Sequence, residues 1–231
     1  MKICGLNKTT LLDYPGKVAA TIFLGGCNFR CPFCQNGALV LHPATEPEIT
    51  QEYTFSFLQK RRGILDGVCV TGGEPTLAPD LADFLREIKE MGYLVKLDTN
   101  GSRPDVIKDL ASQGLLDMVA MDIKSCPSAY GTLTGLDSPD MNAIQESVDF
   151  LLHGSLDYEF RTTVMKELHH KEDFAAIGQW IAGAKAYYLQ AYRESPDVIQ
   201  PGFSSCTLEE LQEFRDILLK TIPVVEIRGI D

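Results

Sequence analysis

Along the chain, short apolar runs rich in β-branched and aromatic residues alternate with longer stretches whose apolar positions recur at helical spacing. The runs are VAATIFL (18–24), ILDGVCV (64–70), YLVKLDT (93–99), DMVAMDI (117–123), YEFRTTV (158–164) and AYYLQAY (186–192), with VVEIRG (224–229) as a possible seventh. Helices are predicted between them, near 50–61, 80–91, 104–113, 141–152, 171–185 and 207–220. Asp80 and Gly92 bracket the second of these, and Pro104 and Gly114 the third, as helix starts and stops should. Six β-α units in strict alternation predict a parallel sheet with helices outside it. The sequence has no internal repeat, linker or low-complexity segment, so residues 1–231 are expected to form a single domain around one core.

An open doubly wound sheet would alternate in the same way, and the polar residues at the strand ends decide between the two. Four consecutive strands run into unusual clusters: IFL into GGCNFRC, GVCV into TGGEP, LVKL into DTNG, and VAM into DIK. In parallel α/β architectures the carboxyl ends of the strands form the ligand face, and in barrels many strands converge there. Taken singly, each cluster has a plainer explanation. TGGEP and DTNG both carry turn chemistry, and Asp122 and Lys124, at i and i+2 on one side of a strand, would make a solvated ion pair. Four in succession point to a curved sheet around one site.

Composition narrows the partners. The chain carries a net charge of −11, with 45% hydrophobic and 23% charged residues, and its basic residues are scattered apart from Lys60, Arg61 and Arg62. No surface for tracking a nucleic-acid backbone is expected. MKICGLNKTT has no apolar signal region, and no apolar run approaches the roughly 18 residues of a membrane span, so a cytoplasmic protein is expected. In that reducing compartment, seven cysteines point to metal binding or redox chemistry rather than a disulfide framework.

Three of the seven fall within GGCNFRCPFCQNG (25–37), as Cys27, Cys31 and Cys34 in C-x3-C-x2-C spacing. A structural zinc site closes with four ligands and usually brings two C-x2-C pairs, whereas three thiolates leave a position open for chemistry. Soft sulfur ligands select zinc or an iron–sulfur cluster. Gly25 and Gly26 allow close backbone approach and Pro32 discourages a helix, so the loop can wrap a metal centre. A redox-active CPFC disulfide would have no need of Cys27. Of the isolated cysteines, Cys69 lies in an apolar strand as a small hydrophobe, Cys4 and Cys206 carry no local signal, and Cys126, although it follows DIK, is not expected to be a fourth ligand.

These residues resemble the radical S-adenosylmethionine (SAM) superfamily, whose signature is C-x3-C-x2-C with an aromatic before the last cysteine, here Phe33. The resemblance implies a partial (β/α)6 TIM-like barrel with parallel strands and outer helices. It implies that Cys27, Cys31 and Cys34 hold three irons of a [4Fe-4S] cluster, and that the fourth iron is chelated by the methionyl part of S-adenosylmethionine. It also implies that Gly72, Gly73 and Glu74 of TGGEP engage the cofactor's amino group. Within the superfamily, KTTLLDYPGKVAATIFLGGCNFRCPFCQNG, TGGEPTL, LDTNG and MDIK are most similar to activating enzymes of glycyl radical enzymes, in particular the group that activates anaerobic ribonucleoside-triphosphate reductase. That likeness spans about residues 5–165.

By it, Asp98, Thr99 and Asp122 lie near the cofactor's carboxylate, with a monovalent cation as a third cofactor that the resemblance allows. Lys124 completes a D-x-K pair, and Arg161 and Gln190 are further site candidates. Gln35 stands where many relatives have His, and no inserted ferredoxin-like cysteine clusters are present. The implied reaction is one-electron reduction of the sulfonium by the cluster, homolytic C–S cleavage, and hydrogen abstraction by a 5′-deoxyadenosyl radical. The implied partners are a glycyl radical enzyme as protein substrate and a flavodoxin or ferredoxin as electron donor. Two alternatives stand beside this one: a radical enzyme acting on a small molecule, such as a 7-carboxy-7-deazaguanine synthase, and a non-catalytic iron–sulfur or zinc module. The second has no need of TGGEP, DTNG and DIK.

Overall fold

A computed structural model describes residues 1–230. The chain is α/β, its strands follow chain order in the sheet, and it forms two compact units. The first comprises Met1–Asn28, Asn36–Thr99 and Arg103–Val119; the second comprises Phe29–Gln35, Asn100–Ser102 and the chain from Ala120 onward.

The first unit contains β1 (Ile3–Thr10), β2 (Ala19–Leu24), α1 (Gly37–Leu41), α2 (Gln51–Lys60), β3 (Gly67–Gly72), α3 (Leu81–Glu90), β4 (Leu94–Thr99) and α4 (Pro104–Ser112). β1 runs antiparallel to β2, while β2, β3 and β4 are parallel with Ile22, Val70 and Leu97 in register. Ala20, Ile22, Val68, Val70, Val95 and Leu97 are fully buried, each larger side chain among them contributing about 1.5–3 kcal/mol. α3 buries Leu81, Phe84, Leu85 and Ile88, the i, i+3, i+4, i+7 stripe that the sequence pattern predicts, and is closed by Gly92 at φ +91°.

β5 (Met118–Asp122) begins in the first unit and ends in the second. The second unit continues with α5 (Tyr130–Thr134), α6 (Met141–His153), β6 (Asp157–Val164), α7 (Lys171–Trp180), β7 (Tyr187–Ala191), α8 (Leu208–Leu218) and β8 (Val225–Arg228). β6, β7 and β8 are parallel. Capping is strong here. Asp140 accepts from the backbone of Asn142 and Ala143 at the start of α6, and Thr207 and Glu210 form a reciprocal capping box on α8. Phe174 of α7 stacks on Phe214 of α8 at 4.4 Å.

The expected parallel α/β alternation is present, with additions at its edges. β1 goes beyond the predicted strands: ICGLNKTT buries only Ile3 and Thr10, so it shows no period-two pattern. VVEIRG supplies β8. β3 starts at Gly67 rather than at Ile64, which is 58% exposed, and α7 ends at Trp180 before a turn through Gly183 at φ +83°.

Candidate functional site

In the first unit, the end of β2 and the TGGEP turn meet backbone to backbone. Gly73 N donates to Leu24 O and Glu74 N to Gly26 O, both at 2.8 Å, and Gly26 N donates to Leu39 O. A Cβ on Gly73 would lie 1.9 Å from Gly26 O, and one on Gly72, at φ +120°, would lie 2.3 Å from Leu24 O. The two glycines are therefore demanded by the approach of TGGEP to the loop that leads into Cys27. Asn36 Nδ2 fastens the same turn through Gly72 O at 3.0 Å. The plain turn and the site are here one structure.

Glu74 is buried at the start of a 3₁₀ turn, Pro75–Leu77. Its Oε1 accepts from Thr76 N (3.1 Å), Thr76 Oγ1 (2.5 Å) and Thr99 Oγ1 (2.8 Å), which orients the carboxylate. Thr99 thus reaches the end of β4 as a partner of Glu74. Asp98, on the opposite side of the strand from Thr99, is buried against Lys96, with Nζ 2.5 Å from Oδ1. Cys27 is half-buried in this unit.

In the second unit, the remainder of the cysteine loop alternates buried Phe29, Cys31 and Phe33 with more exposed neighbours, and Cys34 N donates back to Cys31 O at 3.0 Å. Contacts from distant segments hold it. Arg30 N donates to Thr134 O, Gln200 N to Pro32 O, Ile199 N to Cys34 O, and Gln35 Nε2 to Arg193 O. Gly135, the αL cap of α5 at φ +66°, allows the first, since a Cβ there would lie 2.3 Å from Arg30 O. Gln35 therefore ties the loop to the segment after β7.

DIK is pinned along its whole backbone. The carbonyls of Asp122, Ile123 and Lys124 accept from Tyr130 OH, Thr162 Oγ1 and His169 Nε2, and Ile123 N donates to Arg161 O. His169 Nδ1 accepts from Met165 N, so Nε2 carries the proton. Asp122 bridges two cations, with Arg161 Nε 2.5 Å from Oδ1 and Lys124 Nζ 2.8 Å from Oδ2. The pair is thus only partly solvated. Burial would raise the Asp122 pKa, but Arg161 and then Lys124 hold its carboxyl well below the usual carboxylate range. Burial likewise opposes charge on Lys124, and the negative charge of Asp122, with a smaller influence from the nearby Cys31, keeps it cationic far above the ordinary lysine value. Cys31 and DIK are therefore within electrostatic reach of each other. Gln190 lies half-buried on β7 in register with Thr163 and Arg228, joined to this group by sheet position alone.

Asn100 and Gly101 form the expected turn, with Ser102 N donating to Asn100 Oδ1 at 2.9 Å and Gly101 at φ +75°. Ser147 Oγ holds Gly101 O at 2.6 Å. Cys69 is a fully buried hydrophobe, and Cys126 donates to Asp173 Oδ1 at 3.2 Å.

The family model of the radical SAM superfamily matches residues 21–172, the span that carries all four strand-end clusters. The chain belongs to the radical SAM superfamily. Among curated relatives of this superfamily member, a provisionally named glycyl-radical enzyme activating enzyme of Methanocaldococcus jannaschii is 32% identical, covering 99% of this chain and 96% of its own. A 7-carboxy-7-deazaguanine synthase of Methanospirillum hungatei is 29% identical over 63% of this chain and 58% of its own. Among solved structures, SuiB of Streptococcus suis bound to S-adenosylmethionine superposes with a TM-score of 0.67 at 14% identity, over 90% of this chain and 52% of its own. TYW1 with a lysine-pyruvate adduct gives 0.65 at 15% identity, over 88% and 74%. These likenesses place the chain in the partial β/α-barrel fold.

Membership of this superfamily implies a [4Fe-4S] cluster and S-adenosylmethionine, and the donor chemistry fits both. None of the three clustered thiols is in a disulfide, a buried carboxylate stands ready for an ammonium, and two cations surround Asp122. Among the described residues, no three His, Cys, Asp or Glu side chains are gathered as a site for a single metal ion, and no helix is long and apolar enough to cross a membrane.

Sequence reasoning missed Lys96, Tyr130, Gly135, His169 and the segment 193–200. Lys96 had a signal, a lysine within the apolar run LVKL. The others act through backbone contacts between residues distant in the chain, for which the sequence carries no local pattern.

Proposed function

We propose that residues 1–231 act as one radical SAM domain that activates a glycyl radical enzyme. The observation that carries this reading is the relative that matches almost end to end, 99% of this chain against 96% of its own, and is named for that activity. In this reading Cys27, Cys31 and Cys34 bind the cluster. Glu74, pre-oriented by Thr76 and Thr99, accepts the ammonium of S-adenosylmethionine, with the backbone of Gly72 and Gly73 lining its approach. Lys124 and Arg161, the two cations on Asp122, are the candidates for contact with the cofactor's carboxylate. Phe33 and Gln190 are further candidates for contact with the cofactor, and Gln35 ties the cysteine loop to the segment after β7. The bound cofactors supply one-electron reductive cleavage to a 5′-deoxyadenosyl radical; the protein binds, orients and excludes water. A flavodoxin or ferredoxin supplies the electron, in the cytoplasm.

The test is anaerobic incubation of the iron-loaded protein with S-adenosylmethionine, dithionite and a glycyl radical enzyme from the same genome. A backbone glycyl radical doublet in the partner's electron paramagnetic resonance spectrum is expected. Formation of 5′-deoxyadenosine without that doublet, together with turnover of a small heterocyclic substrate, would replace this reading with that of the 7-deazaguanine-forming relatives, which match about two thirds of the chain.

A further inference from the structure

The end of β4 carries a buried ion pair. Lys96 and Asp98 stand at i and i+2, on one face of a strand whose neighbours Val95 and Leu97 are fully buried. Lys96 is itself 1% exposed, and its Nζ lies 2.5 Å from Asp98 Oδ1. A lysine so deeply buried is costly unless paired, and leucine or methionine would fill a similar volume without that cost. Its position two residues before Asp98, and its direction toward that carboxylate, suggest a role for the charge.

We propose that Lys96 is the resident monovalent cation of this site. Its tethered ammonium neutralises and orients Asp98, as a bound potassium or sodium ion would. The cofactor that Asp98 faces rests on the radical SAM reading above; the ion pair does not. An ammonium carries the same charge as an alkali ion and is held in place by its own side chain, so no entropy is lost in capturing it. An added cation on Asp98 would meet the lysine charge at close range. Thr99, the neighbouring oxygen, is turned to Glu74 Oε1 at 2.8 Å. Lys96 is thus a positioning residue that acts through Asp98, and it makes the site indifferent to alkali ions.

The experiment compares wild type with Lys96→Met in potassium and in tetramethylammonium buffers, reading calorimetric affinity for S-adenosylmethionine on iron-loaded protein and thermal unfolding on iron-free protein. Wild type is expected to give the same values in both salts. Lys96→Met is expected to bind roughly tenfold more weakly in tetramethylammonium and to recover in potassium, with potassium also raising its unfolding temperature. A purely packing role for Lys96 would leave potassium without effect on the variant, and that result overturns the proposal, as does a potassium-dependent wild type. If wild type binds no S-adenosylmethionine in either salt, the functional reading fails instead, and the unfolding arm alone decides the role of Lys96. Should Lys96→Met not fold, Lys96→Gln, which keeps a hydrogen-bonding group but no charge, takes its place with the same expected outcomes.

Discussion

The two units hold their charged groups at different depths. At the ends of β3 and β4, Glu74, Asp98 and Lys96 are all almost fully buried, with Lys96 paired to Asp98. At the end of β5, Asp122 lies between two cations, Lys124 and Arg161 from within β6, and all three keep some contact with water. In the first, Glu74 is fixed by neutral hydroxyls and Asp98 by its ion pair with Lys96; in the second, ion pairs from two sides fix Asp122. The difference teaches that each unit orients its charged groups by its own means, buried hydroxyls in one and bridging cations in the other.

Both units also place a glycine against the cysteine loop, and there the comparison breaks most easily. Gly73→Ala would put a methyl group 1.9 Å from Gly26 O, and Gly135→Ala one 2.3 Å from Arg30 O. Backbone cannot yield as a side-chain tip does, so each variant is expected to lose about 4 kcal/mol or more, or to yield no folded protein, in denaturant titrations. Gly16→Ala, at φ +68° with nothing within 4 Å, is the control and should cost only about 1 kcal/mol. Gly135 shares its positive φ with Gly16 and Gly73 does not, so a loss at Gly135 no larger than at Gly16, or none at Gly73, would show that close approach does not set the cost.

Asp122→Asn sharpens the charge contrast. Removing the shared carboxylate leaves Lys124 and Arg161 facing each other, and about 2–3 kcal/mol of stability should go with it, since the group is only partly solvated. Equal stability of Asp122→Asn and wild type would mean that solvent, not Asp122, satisfies the two cations. In the other unit, Thr99→Val removes one donor to Glu74 and is expected to cost about 1 kcal/mol, in stability and in S-adenosylmethionine affinity alike.

The smallest effect expected is one of pH. Burial pushes the pKa of His169 below the ordinary histidine value, and the ring is held neutral between Met165 N and Lys124 O. Unfolded chains take up a proton on this histidine near pH ~6.5 while the folded protein does not. The unfolded state therefore binds more protons, and stability should fall as pH drops from about 6.5 toward the lowered folded pKa, being fully present above it. His169→Gln should flatten that part of the stability profile in denaturant titrations across pH; an unchanged slope would assign it to other groups.

How far these features were legible in the sequence follows from their physics. The parallel strands and long helices were readable because each has to bury a stripe of its own, as α3 does with Leu81, Phe84, Leu85 and Ile88. β1 was not, because only Ile3 and Thr10 of its eight residues are buried. TGGEP, DTNG and DIK stood out as polar groups at strand ends, yet what holds them came from elsewhere in the chain. Tyr130, Thr162 and His169 each donate to a DIK carbonyl, and 199–200 donate to the cysteine loop. Such contacts depend on which backbone passes by, and no local spacing encodes that. The glycines of TGGEP were visible, but the reason for them, the carbonyls of Leu24 and Gly26, was not.

The central claim is that Cys27, Cys31 and Cys34 together hold the cluster at which S-adenosylmethionine is cleaved. Its most direct measurement is iron content and 5′-deoxyadenosine formation, under dithionite, in wild type and in the three single Cys→Ala variants. The account predicts about four irons and nucleoside release in wild type, and loss of nucleoside release in every variant. Cleavage retained by any one of the three, or a wild type that binds zinc and releases no 5′-deoxyadenosine, would contradict it.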